Sequence, residues 1–74
     1  MNIYELCKKV HTLLDEIADA KSYNDIELAH IRYDQATDLI ITYITKVVGT
    51  RYNNALTALC IKLKAAEPAE KWYA

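Results

Sequence analysis

The sequence predicts an all-α protein: a three-helix antiparallel bundle with a long central helix, expected to self-associate. Three observations carry this. Ala29, Tyr33, Ala36, Ile40, Tyr43 and Val47 alternate steps of four and three with no Gly or Pro between Asn24 and Val48, which holds one helix face toward a partner for about six turns. Shorter stretches on either side carry stripes of the same kind, so three amphipathic helices can bury their faces against each other. The single glycine, Gly49, and the single proline, Pro68, fall at the ends of these stripes, where helices stop.

The first helix is expected over residues 2 to 21. Asn2 and Glu5 have capping-box spacing, and Met1 can staple onto Leu6. Ile3, Leu6, Val10, Leu13, Ile17 and Ala20 then mark the buried face, widened by Cys7 and Leu14. Ser22, Tyr23 and Asn24 form the only break before a second start signal, Asn24-Asp25-Ile26-Glu27-Leu28. So short a connection makes the two helices antiparallel neighbours.

The second helix is expected over residues 24 to 48, with Gly49 suited to the left-handed cap position that follows it. A third, over residues 51 to 66, can be capped by Thr50 and carries Tyr52, Leu56, Leu59, Leu63 and Ala66, with Ala55, Cys60 and Ile61 widening the face. Pro68 ends it. Residues 1 to 67 thus read as one helical domain and residues 68 to 74 as a short tail carrying Trp72 and Tyr73.

Length and composition narrow the function. A chain of 74 residues has room for one core and buries only roughly 60% of its unfolded surface, so its stability is expected to be marginal without added area. A hydrophobic fraction of 53%, spread at helical spacing, is that of a folded domain. The longest purely apolar run, Leu39-Ile40-Ile41, is far short of the roughly 20 residues that span a bilayer, so no membrane association is expected. The first 20 residues carry acids throughout and lack a secretory pattern, so the expected location is the cytoplasm, with Cys7 and Cys60 as reduced core thiols.

Charge is unevenly distributed around a net value of −1. Residues 1 to 38 hold eight acids (Glu5, Asp15, Glu16, Asp19, Asp25, Glu27, Asp34, Asp38) against four bases (Lys8, Lys9, Lys21, Arg32), a local −4. Residues 39 to 74 hold Lys46, Arg51, Lys62, Lys64 and Lys71 against Glu67 and Glu70, a local +3. Such a dipolar chain can attract a second copy in a complementary orientation.

Chemistry is thinly supported. Glu27 and His30 form half of the Glu-x-x-His arrangement of di-metal bundles, but no second half occurs. Cys7 and His11 share a face but supply only two ligands. His11 with Asp15 and His30 with Asp34 have spacing that can orient an imidazole, yet no nucleophile motif or Gly-rich loop accompanies them. No enzyme activity, metal or cofactor is expected.

Two readings remain. The leading one is a non-enzymatic protein-interaction module, a small adaptor, inhibitor or regulatory subunit of a size that would suit a phage or mobile element. It would act on a protein partner or a second copy through an apolar and tyrosine-rich face: Tyr33, Ala36, Ile40, Tyr43, Val47, Trp72 and Tyr73. The physical basis is that the central helix exceeds its neighbours by roughly 6 to 8 residues, leaving about 10 Å of stripe uncovered. The alternative is a small dimeric helix-turn-helix-like regulator, in which Lys46, Thr50, Arg51, Asn53 and Asn54 around Gly49 touch nucleic acid. A slightly negative net charge and an overlong preceding helix count against it.

Overall fold

The computed structural model of the chain describes residues 2–46 and 54–68. They form three helices: α1 (Ile3–Ser22), α2 (Ile26–Lys46) and α3 (Asn54–Ala65). The all-α fold is as expected. α1 and α2 pack along their lengths as an antiparallel hairpin, and α3 lies against both, more closely against α1.

α1 starts on the capping box legible in the sequence. The Glu5 N–H donates to Asn2 Oδ1 at 2.8 Å, and the Asn2 N–H donates to Glu5 Oε1 at 3.1 Å, satisfying two backbone donors that a helix start leaves unpaired. Met1, the expected staple, lies outside the described residues.

The α1–α2 connection differs from the expected one by a single residue. Asn24 does not cap α2; it takes up a left-handed conformation, φ 60°. Its N–H donates to the Lys21 carbonyl at 2.9 Å, and the Asp25 N–H donates to the Ala20 carbonyl at 2.8 Å. This paired pattern closes a helix C-terminus. Asp25 then caps α2, its Oδ1 accepting from the Leu28 N–H at 3.1 Å and its carbonyl from the Ala29 N–H at 3.1 Å. The start signal was in the sequence, but Asn tolerates positive φ better than Asp25 can be spared from capping.

The core has two parts. Leu6, Val10, Ala36, Ile40, Leu59 and Leu63 form the larger, where all three helices meet. Ile17, Ala20 and Ala29 form the smaller, near the hairpin turn, with Ala66 packed against it. Leu14 and Tyr33 touch both. The fully buried Ala29 and Ala36 leave no bulk between α2 and its neighbours, which lets helix axes approach toward the lower end of the usual 8–10 Å range.

α3 ends one residue before its expected limit. The Ala66 N–H is shared between the Lys62 and Leu63 carbonyls, at 3.1 and 3.0 Å, and the Glu67 N–H bonds the Lys64 carbonyl at 3.2 Å, the tightening that commonly finishes a helix. Pro68 is buried. Lys21 Nζ donates to the Glu67 carbonyl at 3.5 Å, so the ends of α1 and α3 lie together and the helices run up, down, up.

Over the described residues α2 has 21 residues, against 20 in α1 and 12 in α3; the expected end of α2 at Val48 lies outside the described residues. One expectation is corrected here. Cys60 is exposed rather than a core thiol, whereas Cys7 is half-buried and packs against the larger core; both are free.

Candidate functional site

The central stripe is spent inside the chain. Ala29 and Ala36 are fully buried, Ile40 nearly so, and Tyr33 and Tyr43 are half-buried against the core. Ala36 and Ile40 are thus largely covered by α1 and α3, although Ile40 still lines a groove on the surface. Val47, Trp72 and Tyr73 lie outside the described residues. Of the residues in the nucleic-acid reading, Lys46 ends α2 and Asn54 begins α3, both exposed, while Thr50, Arg51 and Asn53 lie outside the described residues.

The exposed apolar side chains lie one position over. A groove of about 250 Å³ runs between α2 and α3, lined by Tyr33, Thr37, Ile40, Ile41, Cys60, Leu63 and Lys64. Ile41 is 55% exposed on its α2 wall, and Ile44, one turn further along, is 49% exposed. The α3 wall is Cys60, Leu63 and Lys64, and Ile61, beyond that wall, is 65% exposed. Tyr33 and Ile40 both line the groove, so two residues of the expected surface lie there.

α3 shows why this face differs from an ordinary helix surface. Its inward stripe is Leu56, Leu59 and Leu63. Its outward stripe, Ala58, Ile61 and Ala65, is exposed yet equally free of charge. Within Asn54–Ala65 the only charged residues are Lys62 and Lys64, which flank the outward stripe on opposite sides. A helix apolar on both faces is usually covered on both; here one face has no cover among the described residues. The signal was present in the sequence, but Cys60 and Ile61 read there as a widened core face, because a stripe alone does not say which of two apolar faces turns inward.

The polar groups around the groove are few. Thr37 Oγ1 donates to the Tyr33 carbonyl at 3.0 Å. Lys64 Nζ bonds Glu67 Oε1 at 3.0 Å, and that hydrogen-bonded carboxylate raises the Lys64 ammonium above its ordinary range. The Tyr33 phenol is also raised, first by burial and then by the Glu67 charge, with Lys64 partly opposing. These groups orient and solubilise the rim. They do not assemble a reacting centre.

Elsewhere the surface is charged. A cleft of about 400 Å³ on the α1–α2 hairpin is lined by Glu16, Asp19, Ala20, Tyr23, Asp25, Leu28 and Arg32, and Arg32 Nε pairs with Glu16 Oε1 at 2.9 Å across it. His11 Nε2 lies 3.4 Å from Lys62 Nζ, joining α1 to α3. Among the described residues no group of three or more His, Cys, Asp or Glu side chains could hold a metal ion, and no helix is long and apolar enough to cross a membrane.

The fold and the groove define a class, a small three-helix bundle with an apolar contact face and no assembled reacting centre among the described residues. Comparison with protein-family models, with curated proteins and with solved structures gave no match.

Proposed function

We propose that the chain is a non-enzymatic protein-interaction module that acts through its α2–α3 face. The observation that carries this is the apolar groove between α2 and α3, with Ile41 exposed at its α2 wall and the uncharged outward side of α3 beyond Lys64. Isolated exposed apolar side chains are ordinary on small proteins, but a contiguous apolar face rimmed by charge marks a contact site. The few polar groups nearby, Thr37 and the Lys64–Glu67 pair, are suited to a rim around such a contact. A regulatory, adaptor or inhibitor role fits a module whose whole output is docking, and a reducing cytoplasmic setting fits two free cysteines, one of them exposed.

The test compares wild type with Ile61→Glu by sedimentation and by retention of cell proteins on each immobilised protein, with circular dichroism as the check on folding. An assembly formed by wild type and lost in the variant, whether with itself or with a foreign protein, is the expected result. Equal behaviour of the two folded proteins overturns the reading.

A further inference from the structure

We propose that residues 69 to 74 fold back over the α2–α3 groove and seat Trp72 in it, so that the chain covers its own contact face until a partner displaces the segment; this rests on that face being a contact surface. The choice of occupant comes from where the described chain ends. Glu67 bonds Lys64, a groove residue, at 3.0 Å, and its charge is felt at the phenol of Tyr33, another groove residue. Pro68 is buried. The chain is therefore still held against the bundle when it reaches the mouth of the groove, and the proline ring prevents it from continuing along the α3 axis.

Six residues, Ala69-Glu70-Lys71-Trp72-Tyr73-Ala74, lie outside the described residues and can reach about 20 Å when extended. The α2 wall from Tyr33 to Ile41 is about 12 Å long, so the segment spans it even after reversing direction. The groove exists because α3 lies nearer to α1 than to α2, which leaves Ile40, Ile41 and Leu63 bordering a furrow rather than a helix. Trp72 is the only tryptophan in the chain. Its indole brings a large apolar area and one N–H donor, and the groove offers apolar walls beside the Thr37 hydroxyl.

The cleft on the α1–α2 hairpin is the competing seat, and it fits less well. Its α1 residues Glu16, Asp19 and Tyr23 lie on the side of that helix turned away from His11 and Lys21, the positions that meet α3. The Arg32–Glu16 pair also crosses it.

The fluorescence of the single indole reads the arrangement in the whole 74-residue chain. Wild type is expected to emit at shorter wavelength than the same protein in urea, and to do so unchanged over a hundredfold dilution. Ile41→Glu puts a charge on the exposed α2 wall and is expected to shift the emission to the unfolded position, with circular dichroism showing the helices intact. Tyr23→Ser, in the hairpin cleft, is expected to leave the emission in place. Wild-type emission already at the unfolded position overturns the proposal, as does emission that Ile41→Glu leaves in place or that Tyr23→Ser moves. A shift on dilution means that the groove holds the segment of a second copy, which overturns it as well.

The two readings fail separately. If Trp72 emits as it does in urea while Ile61→Glu still loses an assembly that wild type forms, the groove is open and the proposed function stands without a covering segment. If the emission responds to Ile41→Glu while Ile61→Glu behaves as wild type, the segment is seated and the contact-surface reading is the one that fails.

Discussion

At Asn24 the backbone turns left-handed, φ 60°, and the next residue, Asp25, closes one helix with its N–H and opens another with its carboxylate. The two positions respond oppositely to substitution. Asn24→Gly removes the Cβ penalty of that conformation and is expected to hold or raise stability, whereas Asn24→Ala costs about 1 kcal/mol. Asp25→Ala loses the cap and costs roughly 0.5–2 kcal/mol. Urea denaturation of the three variants checks the order. Tyr33 gives a prediction in pH. Its phenol is raised above 10.0 in the folded chain by burial and by Glu67, so the folded state holds that proton longer than the unfolded one does. The associated stability is fully present below pH 10.0 and is lost as pH rises through the folded value. Tyr33→Phe is expected to lessen the alkaline loss of stability, measured as the urea midpoint against pH; an unchanged slope contradicts it.

Among the elements, α3 separates what the sequence made legible from what it did not. α1 was readable almost residue by residue, because its charged residues leave one apolar face and the Asn2–Glu5 box marks its start. The inward stripe of α2 was readable for the same reason, although its burial by its own chain was not: coverage depends on the lengths of neighbours, and α1 matches α2 to within a residue over the described part. α3 offers two apolar faces, and the choice between them is made by packing on Leu6, Val10 and Ile40 rather than by periodicity. Leu59 and Ile61, two positions apart, report that choice. Leu59→Ala opens a cavity in the larger core and is expected to cost about 2–5 kcal/mol, enough to unfold a domain this small. Ile61→Ala, in dilute protein, is expected to change stability by less than about 0.5 kcal/mol. Thermal melts of both variants decide the matter, and equal costs would mean that α3 is turned the other way.

For the molecule as a whole, two small core clusters and an apolar face with no cover among the described residues lead to the expectation that stability rises when a partner is bound. A chain of 74 residues has little margin of its own, and a partner that binds only the folded state adds stability by mass action. If that partner is a second copy, the melting temperature must depend on protein concentration. A hundredfold rise in concentration adds about 1.4 kcal/mol per protomer for a dimer that unfolds to monomers, which for a domain of this size moves the melting temperature up by roughly 5 to 10 °C. Ile61→Glu places a carboxylate in the middle of the contact, where it would be desolvated without a partner, and is expected to abolish the concentration dependence while leaving the dilute melting temperature close to that of wild type. Calorimetric scans of the two proteins over that range of concentration distinguish the cases: parallel curves for wild type and variant would show that the α2–α3 face adds nothing to the stability of the fold.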